Sequence, residues 1–327
     1  MKSVNDSFGD SWYQLGFHAM GCEMSLWLET AESDTASAAL AQAKALFEVN
    51  EQALSRFRPD SELSRLNART GQWVVVSELL WGVLAQAMEM AARTHGRFDP
   101  TTLNALEHFG YTVSFEQLGQ KSLESQSLTQ SVPSHHESWT VIQKDEERHA
   151  VFLPAGVRLD LGGIAKGYTA QQAVELLRPF GPCLVDAGGD LAAGAAPRDY
   201  PGWPVSVSSP WMDEGIEPTD MFTLWLADEA LATSGIDYRN WRQDDQLVHH
   251  IIDPASGAPA ATDGLTATIL ADEAGQAEAW ATATLVAGSV LGMEVLVEED
   301  LAGLMVTQSG SVVVTPPMHR RLQSQFA

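Results

Sequence analysis

Apolar residues three or four positions apart predict four helices in this chain. The first spans residues 35–57 and ends at Arg58-Pro59. The second begins after Ser77, whose hydroxyl can cap free backbone N–H groups, and it stops near Gly96. The other two cover about 165–180, which Gly181-Pro182 ends, and about 273–288.

Short runs of β-favouring residues lie between these helices. They predict strands at 24–28, 73–76, 139–143, 150–153, 183–187, 205–208, 222–227, 248–252, 266–270 and 303–307. Helices and strands follow one another without a regular βαβ alternation, which favours an α+β fold over a doubly wound parallel sheet. We therefore expect a mixed β-sheet core flanked by helices.

The sequence predicts a single domain over residues 16–320, preceded by an N-terminal extension at 1–15 and followed by a C-terminal tail at 321–327. Residues 116–138 are rich in Ser and Gln and poor in aromatic residues, which indicates a polar surface excursion. We expect the adjacent His135 and His136 at its end to be solvated.

The charge balance limits the ligands that this chain can bind. Of its 327 residues, 45% are apolar, which is enough for a sizeable core. Lys and Arg number 19 against 43 Asp and Glu, giving a formal charge of −24 that disfavours nucleic acid and anionic lipid. An anionic small ligand therefore needs a metal ion, a helix N-terminus or a few placed cations.

The compartment is predicted from cysteine usage and hydropathy. Cys22 and Cys183 have no metal-ligand spacing, so we expect both to be small buried apolar residues, and so few cysteines fit a reducing compartment. The N-terminus lacks the apolar segment of a signal peptide, and polar residues interrupt the apolar stretch 74–92. We expect a cytoplasmic protein without membrane insertion; the alternative is an exported protein whose leader was removed.

Two strand-to-turn segments carry paired glycines. In residues 158–168 an apolar run enters Gly162-Gly163 and then a helix with Lys166 in its first turn. Close backbone approach, free helix N–H groups and a cation are what a phosphate needs, although an ordinary turn with a surface lysine has the same pattern. Residues 184–190 end in a second Gly-Gly turn flanked by carboxylates, which a bare structural turn also explains.

Two further segments offer polar side chains. His250 and Asp253 lie near the end of a β run that enters a Pro/Gly turn, where loops often build sites; a structural histidine is the alternative. Glu278 and Thr282 are four residues apart, so their oxygens project from one helical face. They suit a hard cation such as Mg²⁺, whereas a solvated glutamate beside a packing threonine is the simpler reading.

Taken together and in this order, the segments resemble the FAD:protein FMN transferase family, also called ApbE flavin transferases. The likeness runs from about residue 17 to 307. Its blocks read AMG, LSRFRPDSELSRLN, GRFDPT, DLGGIAKG, DAGGD, ATSG, HIIDP and AEAWAT.

The resemblance implies an ApbE-type fold and an enzyme that binds FAD and Mg²⁺. It implies cleavage of the FAD pyrophosphate, esterification of FMN to a Thr or Ser hydroxyl of a redox protein, and release of AMP. The matching metal positions are the Gly163 carbonyl, Glu278 and Thr282. The matching flavin-contacting positions are Met20, Phe57, Arg97, Phe98, Asp99, Asp160, Lys166 and Ile252.

Three residues depart from the family pattern. Phe57 stands where the family often has Tyr, which keeps a stacking face and loses a hydroxyl. Glu278 replaces the usual Asp, which adds a methylene to a metal ligand and predicts weaker or rearranged coordination. Cys22 replaces a commoner Thr, which we expect to be a packing difference.

The mechanism that fits is in-line attack of the acceptor hydroxyl on the FMN phosphorus, with Mg²⁺ and Lys166 stabilising the pyrophosphate oxygens. His250 is the candidate base, and Asp253 either orients it or serves the metal side. The rival functions are a pyrophosphatase that splits FAD into FMN and AMP, and a non-catalytic FAD-binding protein.

Overall fold

The centre of the fold is a large antiparallel sheet. A computed structural model describes residues 2–3, 11–118, 139–211, 220–243 and 246–323. The first strands are β1 (Lys2–Ser3), β2 (Trp12–Ala19), β3 (Cys22–Glu29), β4 (Trp73–Val75), β5 (Gln143–Asp145), β6 (Ala150–Phe152), β7 (Cys183–Ala187), β8 (Leu191–Ala193) and β9 (Trp203–Ser208). The later strands are β10 (Asp220–Leu226), β11 (Ala230–Gly235), β12 (Asn240–Gln243), β13 (Gln246–His249), β14 (Ile252–Asp253), β15 (Ala258–Pro259), β16 (Gly264–Ala271), β17 (Ala302–Thr307) and β18 (Val312–Val314).

Helices occur before, between and after these strands. They are α1 (Ser33–Leu54), α2 (Glu62–Asn67), α3 (Glu78–Arg93), α4 (Leu103–His108), α5 (Phe115–Leu118), α6 (Ala165–Leu177), α7 (Ala274–Glu298) and α8 (Pro316–Gln323). Short 3-10 turns cover Trp139–Val141 and Arg178–Phe180.

The main sheet has nine strands within the described residues, in the order β1-β2-β3-β7-β8-β11-β16-β17-β18. All of its pairings are antiparallel, so the α+β class is confirmed while the sheet itself is antiparallel and not mixed. Short turns join β2 to β3, β7 to β8 and β17 to β18, and turns of this kind require antiparallel strands.

Both faces of the sheet are covered. On one face α1 and α6 pack over β3 and β7, burying side chains such as Leu26, Phe47 and Val174. On the other face the β9–β10 hairpin and α8 bury Trp203 and Met318 against the strands. Helix α7 packs on β11, β16 and α6, and this position places its side chains beside the turns that follow β7 and begin α6.

Several predicted elements are found where the pattern placed them. Helix α3 starts after Ser77, whose hydroxyl accepts from the Leu80 N–H as predicted. The strand predicted at 139–143 is wrong, because residues 139–141 form a 3-10 turn and β5 begins at Gln143. The strand predicted at 248–252 is divided, since β13 ends at His249 and β14 begins at Ile252.

Helix α7 is longer than the predicted 273–288, because Gly288 breaks the helix without ending it. Gly288 adopts φ 78°, ψ 176°, and a second helical segment follows to Glu298. By length and composition α7 is apolar enough to cross a membrane. In this fold, however, its buried residues include Trp280 and Leu285, which pack in the core.

Two of the predicted segments, the N-terminal extension and the polar surface excursion, are only partly covered by the described residues. Strand β2 begins at Trp12, so residues 12–15 of the predicted N-terminal extension lie in the sheet. Most of the predicted surface excursion, with His135 and His136, lies outside the described residues. The division into domains otherwise stays a prediction.

Candidate functional site

Lys166 is held between two buried carboxylates. Its Nζ lies 2.7 Å from Asp190 Oδ2 and also contacts Glu278 Oε1. The other Glu278 oxygen accepts a hydrogen bond of 3.0 Å from the Gly167 N–H. The three side chains are only 13%, 6% and 4% exposed, respectively. Their charges therefore interact in a medium of low polarity, where pairing matters far more than at the surface.

Three separate elements bring this cluster together. Lys166 lies in the first turn of α6, Asp190 follows the Gly-Gly turn after β7, and Glu278 projects from α7. The close approach of α6 and α7 depends on Gly167, because a Cβ added there would lie 2.5 Å from the Ala274 backbone. The missing side chain thus lets Glu278 reach the start of α6.

The cluster combines one ammonium with two carboxyl groups. Burial opposes ionisation of Lys166, but Asp190 and Glu278 outweigh burial and raise its pKa, so it stays an ammonium. Burial raises the pKa of Glu278, Lys166 lowers it and Asp190 raises it, with a net shift upward. With both carboxylates ionised, one ammonium leaves a net charge of −1, which a further cation would neutralise.

The predicted metal positions lie near one another. Thr282 is one helical turn after Glu278, and its Oγ1 lies 3.1 Å from Ser234 Oγ. A Cβ built on Gly163 would lie 3.8 Å from the same Thr282 oxygen and 3.2 Å from the Phe98 ring. A carboxylate, two hydroxyls and a backbone carbonyl are the hard oxygen donors that Mg²⁺ prefers, so these residues fit the ion.

The carboxylate, however, is already engaged. Both oxygens of Glu278 contact groups at the start of α6, on Lys166 and Gly167. Within the described ranges no cluster of three or more His, Cys, Asp or Glu side chains forms a metal-binding group. A metal here would therefore share Glu278 with Lys166 and rely on neutral oxygens for other ligands.

His250 is oriented by the backbone of Arg239. The His250 Nδ1 lies 3.2 Å from the Arg239 carbonyl oxygen. A carbonyl only accepts, so Nδ1 carries the proton and Nε2 keeps its lone pair. Burial, and then the Arg239 guanidinium, lower the pKa of His250 to about 3. The imidazole is therefore neutral at ordinary pH, and the Arg239 contact does not use the Nε2 lone pair.

Asp253 occupies a different environment. Its Oδ1 accepts a 3.0 Å hydrogen bond from the Ala255 N–H, and its carbonyl accepts from the Gly257 N–H at 2.8 Å. Among the described residues Asp253 makes no hydrogen bond to His250; the Arg239 carbonyl makes the orienting contact instead. The local chemistry explains this, because Asp at the start of a Pro/Gly turn bonds the backbone two residues on.

The predicted flavin-contacting residues Asp160 and Phe57 meet at Arg56. Asp160 Oδ2 lies 2.5 Å from Arg56 Nε, and Asp160 Oδ1 accepts from the Gly162 N–H at 2.9 Å. The Phe57 ring, whose residue is 39% exposed, lies 4.1 Å from the Arg56 guanidinium carbon. The structure therefore joins the LSRF segment to the start of the DLGGIAKG segment.

The remaining predicted contacts are spread around this region. Met20 adopts a positive φ of 51° and donates its N–H to Glu51 Oε2 at 2.8 Å. Buried Asp99 accepts from the Thr101 N–H at 2.8 Å, and the preceding Phe98 packs on Gly163. Ile252 is buried in the cluster of Tyr111, Trp241 and Val248.

Arg97 differs from these residues in its surroundings. Its Nη1 lies 3.4 Å from the Thr94 carbonyl oxygen. Its side chain lines a cavity of about 10 Å³ together with Trp280 and Thr284. In this structure Arg97 thus contacts the C-terminal end of α3 and one side of α7, and makes no hydrogen bond to the Lys166 cluster among the described residues.

Sequence reasoning missed Arg239 and assigned Cys22 wrongly. Arg239 Nη2 lies 3.0 Å from Cys22 Sγ, so Cys22 is a half-buried polar contact and not the buried apolar residue that we expected. Cys183 is fully buried, as predicted. Asp190 had a signal in the DAGGD segment, whereas nothing in the sequence near Arg239 indicated that its carbonyl meets His250.

These features define a class of protein: an α+β fold with an enzyme-like site that combines a buried lysine, hard oxygen donors and a neutral imidazole. The chain belongs to the ApbE family, whose model matches residues 20–305. The family resemblance seen in the sequence is thereby confirmed.

Curated relatives and solved structures agree with this assignment. The chain is 31% identical over 266 residues to a FAD:protein FMN transferase of Treponema pallidum, covering 77% of this chain and 72% of the relative. It is 28% identical over 290 residues to one of Vibrio cholerae, covering 81% and 77%. The crystal structure of an ApbE protein from Thermotoga maritima superposes with a TM-score of 0.84 at 25% identity, covering 95% of this chain and 99% of that one.

A structure of the Pseudomonas stutzeri flavinyl transferase ApbE superposes with a TM-score of 0.81 at 20% identity, covering 97% of this chain and 98% of the other. At that identity the likeness concerns the fold. Fold and family are therefore established for almost the whole chain.

Proposed function

We propose that this chain transfers FMN from FAD to a Thr or Ser hydroxyl of a redox protein, in a Mg²⁺-dependent reaction that releases AMP. The observation that supports this most is the Lys166 ammonium, buried between Asp190 and Glu278 beside the hydroxyls of Thr282 and Ser234. A pyrophosphate needs cations around it. This cluster supplies one fixed ammonium, together with hard oxygen donors that can hold Mg²⁺ as a second cation.

Glu278, Thr282 and the Gly163 carbonyl are the residues that would hold the metal. When bound, Mg²⁺ would neutralise negative charge on the pyrophosphate oxygens. Lys166 has one N–H left after its contacts with Asp190 and Glu278, and it would donate this N–H to the same oxygens. As a buried ammonium, Lys166 loses little solvation when the ligand arrives. Asp190 keeps Lys166 charged and fixed in position during this step.

The proposed reaction forms one phosphorus–oxygen bond and breaks another. The acceptor hydroxyl forms a new bond to the FMN phosphorus, and the bond from that phosphorus to the bridging oxygen breaks, so AMP leaves with the bond's electron pair. The hydroxyl proton passes to His250 Nε2, the nitrogen that the Arg239 contact leaves free. Phe57 offers an exposed aromatic face for the flavin ring.

An acceptor protein and a cytoplasmic location are parts of the same proposal. Both cysteines are free thiols, which fits a reducing compartment. The low proportion of Lys and Arg fits a protein that does not bind nucleic acid. Cell fractionation that recovers the protein outside the cytoplasm would contradict the location and leave the chemistry unaffected.

The experiment is incubation of the purified chain with FAD, Mg²⁺ and a candidate acceptor that carries a Thr-containing flavinylation target. Flavin fluorescence that stays on the denatured acceptor supports transfer. Free FMN and AMP formed without acceptor indicate a pyrophosphatase, and unchanged FAD indicates a binding or storage protein. A Lys166→Met variant and an EDTA-treated sample are the matched controls, and both should lose transfer.

A further inference from the structure

Arg56 is a buried cation with an unused donor. Its side chain is 6% exposed, its Nε pairs with Asp160, and its Nη1 donates to the Tyr111 carbonyl at 2.8 Å. Its Nη2 is buried and has no hydrogen-bond partner among the described residues. Leaving a buried charged donor unsatisfied is costly, so such an atom needs an explanation.

The surroundings of the guanidinium restrict what can reach it. Its central carbon lies 4.1 Å from the Phe57 ring centre and 4.6 Å from the Tyr111 ring centre. Asp160 occupies the Nε edge and the Tyr111 carbonyl occupies Nη1. A ligand acceptor is therefore left with the Nη2 edge, in the plane of the group.

The charge balance indicates a neutral acceptor. Asp160 already neutralises Arg56 at 2.5 Å, so the pair offers an anion little net attraction. The proposed phosphate site, in which Lys166 acts together with a bound Mg²⁺, lies in a separate cluster made by other elements. Arg56 covers part of the Phe57 ring, and the exposed remainder of that ring offers an apolar contact for a planar heteroaromatic ring.

We propose that Arg56 is a specificity-determining residue for the flavin ring, with Nη2 donating a hydrogen bond to a carbonyl oxygen on the pyrimidine edge of an isoalloxazine that contacts the exposed part of Phe57. This deepens the proposed function and rests on it, because it takes FAD as the ligand. Asp160 then acts as a positioning residue that fixes the guanidinium.

The test compares ligands that share different halves of FAD. Affinities for FAD, FMN and ADP are measured by calorimetry, and by quenching of flavin fluorescence for the first two, without acceptor protein and with EDTA. Arg56→Met should weaken FAD and FMN binding about tenfold or more, the usual effect of losing a hydrogen bond to a charged group, and leave ADP unchanged. Arg65→Met, which removes an exposed arginine bonded to the Asp60 carbonyl, should change none of them.

Arg56→Met also leaves Asp160 unpaired and can unfold the chain, so the double variant Arg56→Met/Asp160→Asn is measured beside it. The double variant should show the same selective loss of flavin affinity. Equal weakening of ADP, or unchanged FMN affinity in a folded variant, would overturn the inference. A wild-type chain that binds FAD with this Arg56 dependence but transfers no FMN refutes the proposed activity and leaves Arg56 as a flavin contact.

Discussion

The Lys166 ammonium and the Asp190 carboxylate form a 2.7 Å ion pair in which both side chains are nearly excluded from water. Glu278 completes the network from the opposite helix. The network joins α6, the turn after β7, and α7, so it couples the stability of the fold to the geometry of the candidate site. Breaking it at different members should therefore separate folding effects from effects on the reaction.

Removing Asp190 tests how much the buried network contributes to the stability of the fold. We expect Asp190→Ala to lower the free energy of unfolding by about 3 kcal/mol, the usual cost of breaking a buried ion pair from one side, and Asp190→Asn to cost less because it keeps an acceptor. Urea unfolding measures both. Asp228→Asn, which suits the positive φ of 50° at this position and removes an exposed pair with Arg178, should cost below about 1 kcal/mol. Equal losses at positions 190 and 228 would argue against a buried network.

Removing His250 tests the proposed base. We expect His250→Ala to slow transfer by about 100-fold or more, the usual contribution of a general base, while FAD affinity stays close to wild type. Single-turnover transfer and fluorescence titration measure the two quantities. His95→Asn, at an exposed histidine whose φ of 53° Asn tolerates, is the control and should behave as wild type in both. Parallel loss of rate and FAD affinity would show that His250 serves binding and not proton transfer.

The same histidine predicts a pH dependence of stability. An unfolded histidine binds a proton near pH 6.5, whereas folded His250 does so only near pH 3, because burial and Arg239 lower its pKa. Between these values the unfolded state binds more protons, so the free energy of unfolding falls as pH falls. His250→Asn should lose less stability than wild type between pH 6.5 and about 4.5. His95→Asn should keep the wild-type slope, and a wild-type slope in His250→Asn would contradict the lowered pKa.

The sequence predicts those parts of the site that depend on residues close together in the chain, and it does not predict contacts between distant segments. Ser77 before α3 and Lys166 after paired glycines are read within a few residues, and the structure has both as predicted. The contact between His250 and the Arg239 carbonyl arises because the chain leaves β13 at His249 and resumes in β14 at Ile252. On either side of the break, Val248 and Ile252 pack in one cluster with Trp241, and a β-type run of residues does not indicate contacts of this kind.

Substitutions at Glu278 separate the effect of its side-chain length from the effect of its charge. Glu278→Asp withdraws the oxygens from Gly167 and Lys166, so we expect the free energy of unfolding to fall by about 1–2 kcal/mol while metal-dependent transfer is retained. Glu278→Gln keeps the length and removes the charge, and it should raise the Mg²⁺ concentration needed for half-maximal transfer. Magnesium titrations of the rate, with unfolding curves in EDTA, measure both effects. An unchanged Mg²⁺ requirement in Glu278→Gln would exclude this carboxylate as a metal ligand.

Asp263 stabilises the second segment of α7 at a distance from the Lys166 cluster. It lies just before β16, and its two oxygens accept from the N–H and the hydroxyl of Ser289, directly after the Gly288 break. These hydrogen bonds hold the pKa of Asp263 below its usual value, as expected for a carboxylate capping a helix start. Asp263→Ala should therefore lower the free energy of unfolding by about 1 kcal/mol, with Asp263→Asn closer to wild type, and neither should change FAD affinity. Circular-dichroism melts and fluorescence titrations distinguish this from a role in the site, since weaker FAD binding by a folded Asp263→Ala would show that the two halves of α7 are coupled.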